Sequence, residues 1–315
     1  MRAWAITNGE LHLVERPTPD PGPGDVLVSV RAAGINAADL LQRAGFYPAP
    51  PGVPADVPGL EMAGVVSAHG EGVDPALAGR RVCAVVGGGA HATHCVVPAE
   101  HLIEIPDHVD WPAAGGFAEA FSTAHDALVT QAGLCRGERV LISGAAGGVG
   151  VAAVQIAVAR GAHVVAVTRD DTHHPALREL GAHDCITTDE VAHIDLVDVV
   201  LELVGAAHLE VAQRRLAPFA RVVVIGVGAG SKASIDLLGI MTTRASVTGS
   251  TLRARDRAAK ASVATAVSDE LVPLWRENAL RVPLAGTVAF DELPLAYERF
   301  SAPGKFGKFV VVNDD

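Results

Sequence analysis

The sequence predicts an α/β protein that combines a barrel-like β domain with a doubly wound parallel sheet. Three observations predict this architecture. Up to about residue 105, short apolar stretches are separated by Gly and Pro, which is typical of short strands in a barrel. From about residue 112, apolar strands alternate with helical stretches, as in a parallel sheet covered on both faces. A glycine-rich turn at 144–150 joins the first of these strands to a helix.

The uncharged segment between Arg139 and Arg160 organises the second part of the chain. Its twenty residues are enough to cross a bilayer as a helix. Four of them, however, are glycines within 144–150, and such a cluster weakens a helix. We therefore predict a short strand over 140–143, a tight turn, and a helix from about Val149.

The turn has the spacing of the dinucleotide fingerprint G-x-G-x-x-G, with one substitution. Ala145 takes the first glycine position, Gly147 the second and Gly150 the third. A pyrophosphate must approach the backbone N–H groups of a helix N-terminus, so side chains there must be absent. A plain Gly/Ala-rich turn is the alternative, but the flanking strand and helix favour a Rossmann nucleotide-binding unit. The predicted cofactor contacts here are Ala145, Gly147, Gly148 and Val149.

The remaining elements follow the same two patterns. The β-rich part has two loops, 34–47 and the proline-rich 48–58. A long helix is expected from about Asp256 to Asn278, followed by a strand-helix-strand tail whose last strand returns to the first domain. The other strands are expected at 26–32, 62–67, 81–86, 163–168, 198–203, 221–225 and 246–250, and the other helices at 113–131, 175–180, 206–216 and 235–242.

Composition limits the classes of partner. The formal net charge of −11 argues against nucleic acid or an anionic membrane as the main partner. Residues 1–5 lack the apolar core of a signal peptide and predict a strand. The four cysteines are scattered without a C-x-x-C pair, which suits a reducing cytoplasm and neither a disulfide framework nor a zinc knuckle.

Five motifs then follow one another in a characteristic order. Together they resemble the medium-chain dehydrogenase/reductase superfamily, and within it the zinc-free, zeta-crystallin-type quinone oxidoreductases. The resemblance implies a GroES-like β-barrel catalytic domain at 1–118 and 257–315, and a Rossmann cofactor domain at 119–256. The motifs are NAADLLQRAGFY (36–47), PGLEMAG (58–64), GGGA (87–90) with VVP (96–98), AAGGVG (145–150) and LRARD (252–256).

The resemblance also implies that no metal is bound. Zinc-dependent relatives carry a Cys and a His at the positions that are Asn36 and Leu60 here. Catalytic zinc needs three protein ligands with nitrogen, sulfur or carboxylate donors, and Leu offers none. His91 and His94 lie near Cys95 and are the remaining candidates, without an evident further ligand.

Without a Lewis acid to hold an alkoxide, simple alcohol–aldehyde exchange loses its main charge stabiliser. A quinone or an α,β-unsaturated carbonyl is an easier hydride acceptor, because the charge spreads over a conjugated enolate. The family places its substrate beside residues that correspond to Asn36 and Tyr47, which are therefore the predicted catalytic residues. Turn capping is the alternative for Asn36, and packing against the proline loop is the alternative for Tyr47. Asp39 is expected to be a helix cap.

The end of the second Rossmann strand bears on the choice of cofactor. An acidic residue there binds the 2′-OH of NAD and repels a 2′-phosphate. Thr168 takes this position and Arg169 follows, so the sequence favours NADPH over NADH. The family's Ser and Lys phosphate contacts fall on Asp170 and His173, however, and a solvated charge cluster is the alternative for Arg169.

Further cofactor contacts are implied by the resemblance. Val204, Gly226 and Val227 come just after strand carboxyl ends, where open α/β sheets bind ligands. Leu252, Phe306 and Lys308 correspond to family residues near the cofactor, although 304–307 could be only a hairpin.

These expectations give one leading hypothesis and two alternatives. The leading hypothesis is an NADPH-dependent, metal-free quinone oxidoreductase that acts on a small quinone or α,β-unsaturated carbonyl as a cytoplasmic homodimer. The dimer is implied by the resemblance and by the apolar strand 246–250. The first alternative is an enoyl-thioester or 2-alkenal reductase of the same fold. The second is a non-catalytic NADPH-binding protein.

Overall fold

The computed structural model describes residues 1–313, which fall into two compact units. Among these residues, unit 1 comprises Met1–Ser122 and 252–313, and unit 2 comprises Thr123–Thr251. The strands are β1 (Arg2–Thr7), β2 (Glu10–Glu15), β3 (Asp25–Ile35), β4 (Glu61–His69), β5 (Arg81–Val85), β6 (His94–Pro98), β7 (Ile103–Glu104), β8 (Arg139–Ile142), β9 (His163–Thr168), β10 (Asp184–Thr187), β11 (Val197–Glu202), β12 (Leu216–Val224), β13 (Ser246–Gly249), β14 (Leu284–Ala289) and β15 (Lys308–Val312). The helices are α1 (Ala37–Arg43), α2 (Trp111–Gly115), α3 (Ala118–His125), α4 (Gly148–Ala159), α5 (His174–Glu179), α6 (Ala206–Ala212), α7 (Leu237–Thr243), α8 (Arg257–Glu270), α9 (Val272–Arg276) and α10 (Leu293–Ser301).

Unit 1 is built on a seven-stranded sheet of order β14-β15-β3-β4-β5-β7, with β6 also paired to β3. All of its pairs are antiparallel except β14 with β15. Its main apolar core lies on strands β3 to β6 and includes Val28, Met62 and Val97. The pairing of β15 with β3 sets Phe309 opposite Ile35, which brings the start of β15 beside the residue that follows β3.

Unit 2 is built on a six-stranded parallel sheet of order β10-β9-β8-β11-β12-β13. In chain order this is 3-2-1-4-5-6, the doubly wound arrangement in which the strand order reverses between β8 and β11. Helix α4 is buried along most of its length, from Gly150 to Ala157, because it packs onto the sheet. Ligands bind beyond the carboxyl ends of the strands at such a reversal point.

Several sequence predictions for the elements are confirmed. The segment between Arg139 and Arg160 is a strand, a turn and a helix, and the tail is a strand, a helix and a strand. Within residues 1–313, no helix has both the length and the apolar character that crossing a bilayer requires.

Three predictions were wrong in detail. The segment 34–47, expected as a loop, contains helix α1. The helix expected over 113–131 is divided into α2, α3 and a π-helical turn, and Gly115 packs so closely on β3 that a Cβ would overlap Ala32. The long helix expected over 256–278 is divided into α8 and α9. Pro273 explains that break, because it lacks the N–H that a continuous helix needs and instead lies in the first turn of α9.

Candidate active site

Asn36 occupies the N-cap position of α1, but its side chain does not cap the helix. Its Nδ2 donates a hydrogen bond to Oε1 of Glu61 at 3.0 Å, and its Oδ1 accepts one from Nζ of Lys308 at 2.7 Å. The backbone N–H of Asn36 donates instead to Asp39 at 2.8 Å. The side chain that caps this turn is therefore that of Asp39, and the Asn36 carboxamide is instead bound to Glu61 and Lys308.

Glu61 and Lys308 form a buried ion pair at the start of β4 and of β15. Nζ of Lys308 donates to Oε1 of Glu61 at 2.5 Å and to the carbonyl of Ile35 at 3.3 Å. Oε2 of Glu61 accepts the backbone N–H of Glu119 at 2.8 Å. Glu61 is 0% exposed and Lys308 3% exposed, so each charge depends on the other for compensation.

Asp39 is fully buried on α1. Its two carboxylate oxygens accept the backbone N–H groups of Asn36 and Gly59, at 2.8 and 3.0 Å. Burial raises the pKa of Asp39 to about 7, against the opposing effect of these hydrogen bonds. Asp39 thus fixes the start of α1, as expected for a helix cap.

Tyr47 is half-buried and is held by Arg253. The guanidinium of Arg253 lies 4.9 Å from the centre of the Tyr47 ring and donates to the Tyr47 carbonyl at 2.8 Å. Its other nitrogens donate to the carbonyl of Gly87 at 2.8 Å and to Oε1 of Gln42 at 2.5 Å. Burial raises the pKa of Tyr47. Within residues 1–313 the Tyr47 hydroxyl has no hydrogen-bond partner, which leaves it available to a ligand.

His91 and His94, the remaining candidate metal ligands, are engaged with neighbouring groups. Nδ1 of His91 lies 3.1 Å from the Tyr297 hydroxyl and its Nε2 lies 3.4 Å from the carbonyl of Gly34. Burial lowers the pKa of His91 to about 4. Nδ1 of His94 pairs with Thr93 at 3.1 Å. In the described part of the chain, no three His, Cys, Asp or Glu side chains are grouped so that they could hold a metal ion.

In unit 2, the turn after β8 leaves a helix N-terminus uncovered. Gly147 is the N-cap of α4, and no side chain caps the helix there. A Cβ on Gly147 would meet only the carbonyl of Gly144, at 3.4 Å, whereas a Cβ on Gly150 would overlap the backbone of Ala145 at 2.6 Å. Gly144 adopts a positive φ of 60°. The turn is therefore open where a phosphate would approach and closed where α4 packs on it, which fits a dinucleotide.

The other predicted residues of this turn differ in exposure. Ala145 is fully buried, and its N–H donates to the carbonyl of Val167 at 3.0 Å, so it shapes the turn from within. Gly148 and Val149 form the first turn of α4, where helical N–H groups lack intrahelical partners.

Thr168 and Arg169 differ sharply in their surroundings. Thr168 is buried, and its hydroxyl donates to the carbonyl of Asp170 at 2.7 Å and lies 2.9 Å from Nε2 of His174. Arg169 is exposed, and its guanidinium interacts electrostatically with the carboxylate of Asp170. The side chain of Asp170 is engaged by the N–H of Thr172 at 3.1 Å. Arg169 is thus the cation available at the end of β9.

A buried carboxylate that the sequence analysis missed organises the reversal point of the sheet. Oε1 of Glu202 accepts the hydroxyl of Ser143 and the N–H groups of Val204 and Gly205, each at 2.8 Å, and Oε2 lies 2.5 Å from Nδ1 of His208. Burial favours the neutral form of Glu202, but the hydrogen bonds outweigh it and lower the pKa. The strand VDVVLE contains two acidic residues, and the sequence signal was that one of them, Glu202, closes the apolar run at the carboxyl end of the strand.

The remaining predicted contacts divide between the two units. In unit 2, Val204 lies beside Gly144, and Gly226 packs so closely on Leu203 that only glycine fits; Val227 is exposed. In unit 1, Leu252 is buried and Phe306 is half-buried, while Lys308 belongs to the Asn36 cluster. The structure thus brings Asn36 and Lys308 together, with Glu61 as the partner that the sequence analysis missed.

Two families of known proteins match the chain. The family described as alcohol dehydrogenase GroES-like domain matches residues 22–107, and the one described as zinc-binding dehydrogenase matches residues 148–268. An alcohol dehydrogenase superfamily protein from Novosphingobium aromaticivorans has a similar structure, with a TM-score of 0.87 and 30% identity over 99% of both chains.

Curated relatives point the same way. The human synaptic vesicle membrane protein VAT-1 homolog is 36% identical over 69% of this chain and 58% of its own length. The chain thus spans less than two thirds of that relative. The quinone oxidoreductase of Sus scrofa is 32% identical over 66% of this chain and 66% of its own length.

The chain belongs to the medium-chain dehydrogenase/reductase superfamily, whose members join a GroES-like domain to a Rossmann domain. Within that superfamily it is a zeta-crystallin-like member, related to the quinone oxidoreductases. The predicted fold class is confirmed. Membership implies a nicotinamide cofactor.

Proposed function

We propose that the protein is an NADPH-dependent, metal-free reductase that transfers hydride to a quinone or another conjugated carbonyl. The observation that carries this proposal is the anchored carboxamide of Asn36, at the position where zinc-dependent relatives carry a cysteine. A neutral hydrogen-bond donor that is held in place by two charged partners suits an acceptor whose oxygen becomes negative during reduction.

The metal-free part of the proposal rests on the donor set. Leu60 is buried and offers no donor atom. Both oxygens of Glu61 are already used, by Lys308 and Asn36 on one side and by the N–H of Glu119 on the other. Since catalytic zinc needs three protein ligands, these positions do not supply a site for it.

Unit 1 would stabilise the reduced substrate. The nicotinamide cofactor supplies the hydride when it is bound. Asn36 would donate its remaining N–H to the substrate oxygen, and the Tyr47 hydroxyl would donate a hydrogen bond or a proton. One such donor is typically worth about 10²–10³ in rate, and a positioned acid about 10²–10⁴.

Unit 2 would hold the cofactor. The N–H groups of Gly148 and Val149 would bind the pyrophosphate across the surface that Gly147 leaves open. Arg169 would bind the 2′-phosphate, because its guanidinium is exposed and matches phosphate geometry. Val204, Gly226 and Val227, beyond the carboxyl ends of β11 and β12, would line the rest of the site. In unit 1, Leu252 and Phe306 remain proposed cofactor neighbours.

The function is tested by following NADPH oxidation with an ortho-quinone and, separately, with a crotonyl thioester. We expect turnover of the quinone. Turnover of the thioester alone would favour the enoyl reductase alternative, and tight NADPH binding without turnover of either would favour a non-catalytic role.

The cofactor preference is tested by titrating both reduced cofactors. NADPH should bind more tightly than NADH to the wild type, and Arg169→Ala should weaken NADPH binding about tenfold, with NADH unaffected, because only NADPH carries the 2′-phosphate. Tighter binding of NADH to the wild type would reject the role of Arg169.

We also propose that the protein is a homodimer formed through β13. This strand is the edge of the parallel sheet, and all four of its residues are exposed. Leu237, Leu238 and Met241 on α7 are each more than two-thirds exposed. Strand β13 has an edge without a partner strand in its own sheet, and it follows the exposed apolar face of α7 in the sequence. Such a surface is suited to pairing with a second copy of the chain.

A reducing compartment, the cytoplasm, is proposed for the protein. The four cysteines are free thiols, and three of them are buried. Burial raises the pKa of Cys83 and Cys95, so both remain as inert thiols at neutral pH.

A further inference from the structure

The amide of Asn36 can adopt only one of its two orientations. The Lys308 ammonium can only donate, so it must face the amide oxygen; the Glu61 carboxylate can only accept, so it must face the amide nitrogen. A rotation of the amide by 180° would place the amide N–H donors against the Lys308 ammonium and the amide oxygen against the Glu61 carboxylate. Two hydrogen bonds to charged groups would then be lost, which disfavours the rotated form by about 100-fold or more.

The same contacts account for the donors of the cluster. Lys308 has three N–H donors, and three acceptors surround them: the carbonyl of Ile35, Oδ1 of Asn36 and Oε1 of Glu61. Nδ2 of Asn36 has two N–H donors, of which one goes to Glu61. Within residues 1–313 the second has no acceptor. The cluster thus leaves one N–H of Asn36 free and none of Lys308.

The backbone around the pair is adapted to it. Gly34 lies against the Glu61 carboxylate, and a Cβ there would overlap it. The position of Lys308, at the start of β15, is fixed by the hydrogen bonding of that strand to β3. Both partners are therefore held by strands of one sheet, and strands hold side chains more precisely than loops do.

We propose that the buried Lys308–Glu61 pair is a positioning device that fixes the carboxamide of Asn36 with one N–H presented to the oxygen of the substrate. Lys308 acts on the substrate through Asn36 and is not a cofactor ligand. This role rests on the proposed reduction of a conjugated carbonyl, and it replaces the cofactor contact expected for Lys308 from sequence.

A double-mutant cycle of Asn36→Ala and Lys308→Met tests this role, with kcat, KM and the NADPH Kd measured for each variant. Each single variant should lower kcat about 10²-fold, since each removes one oriented donor. The NADPH Kd should change less than about threefold. In the Asn36→Ala background, Lys308→Met should change kcat by less than about threefold, because its effect passes through the missing amide. Lys305, whose ammonium donates to the carbonyl of Phe300, provides the matched control. Lys305→Met should leave kcat, KM and the NADPH Kd unchanged.

Two outcomes would overturn the proposal. If the kcat of the double variant falls by the product of the two single effects, Lys308 acts independently of Asn36. A large rise in the NADPH Kd of Lys308→Met would show that Lys308 is a cofactor ligand. If Lys308→Met fails to fold because Glu61 is left unpaired, Glu61→Met combined with Lys308→Met removes both charges and should show the same dependence on Asn36. Wild-type protein that binds NADPH but turns over no conjugated acceptor would instead contradict the proposed function, before any variant is compared.

Discussion

Gly147 and Gly150 lie three residues apart in one turn and have different tasks. At Gly150 a Cβ would overlap the backbone of Gly144 and Ala145, so glycine is needed for the turn to pack against α4. At Gly147 there is room, and its φ of −75° suits any residue. Glycine at 147 is therefore explained by what approaches from outside the protein.

A methyl group at position 147 separates these tasks. Gly147→Ala should lower the free energy of unfolding by less than about 1 kcal/mol, as for alanine at an N-cap. It should raise the NADPH Kd at least about tenfold, because the Cβ occupies the approach to the N–H groups of α4. Urea denaturation and fluorescence titration measure the two effects. Gly22→Ala, in the other unit, is the control, and unchanged NADPH affinity in Gly147→Ala would refute the pyrophosphate site.

Glu202 links the pH dependence of stability to the loops at the sheet reversal point. Its pKa is lowered in the folded protein, so its stabilising contribution is complete above the unfolded value and is lost as pH falls through the lowered one. Glu202→Gln should reduce the free energy of unfolding by about 1–3 kcal/mol at neutral pH. The difference from wild type should shrink below about pH 4, where an unfolded glutamate is protonated.

Urea denaturation at several pH values checks this. Glu298→Gln is a suitable control, because Glu298 is exposed. A difference between wild type and Glu202→Gln that stays constant from neutral to acid pH would mean that the ionised form of Glu202 is not what stabilises the loops.

Single residues could be selected from the sequence where they belong to a local motif, and their functional roles stay predictions. Asn36 belongs to the motif at 36–47, and Gly147 and Gly150 belong to the motif at 145–150. The Glu61–Lys308 pair was missed because its members are 247 residues apart and meet only through the order of strands in the sheet. No local pattern contains that information.

Among the elements, the parallel sheet of unit 2 was the most predictable part. Most of its strands are apolar runs that alternate with helical stretches, which is the pattern of a parallel sheet covered on both faces. The errors came where tertiary contacts decide. Helix α1 is short and weakly periodic, and the carboxylate of Asp39 that holds its first turn is itself buried against Gly59. Strands β2, β6, β7 and β10 were missed because their patterns are short or interrupted.

Strand β13 provides a test of assembly. Val247 lies on this edge strand and is 42% exposed. Val247→Lys combined with Leu238→Lys should convert a dimer to a monomer, because two buried ammonium groups per copy would oppose association. Sedimentation analysis measures the change. Leu13→Lys, on the exposed strand β2, should leave the dimer intact, and a wild type that sediments as a monomer would contradict the proposed interface.

In the whole molecule, the proposed chemistry is divided between two units that both match known families. Unit 2 has the strand order and the open turn of a dinucleotide-binding domain, and the comparisons place the chain among the medium-chain dehydrogenases/reductases. In the proposed function, unit 1 determines which substrate is reduced, and there the chain carries Asn36 and Leu60 at the positions where zinc-dependent members of the family carry a Cys and a His. We therefore propose that hydride transfer by this protein needs no metal.

That claim is tested most directly by measuring NADPH oxidation with an ortho-quinone after exhaustive treatment with a chelator, together with the metal content of the same sample. We predict undiminished turnover with far less than one zinc per chain. Loss of turnover on chelation, restored in proportion to added Zn²⁺ that binds one per chain, would contradict it.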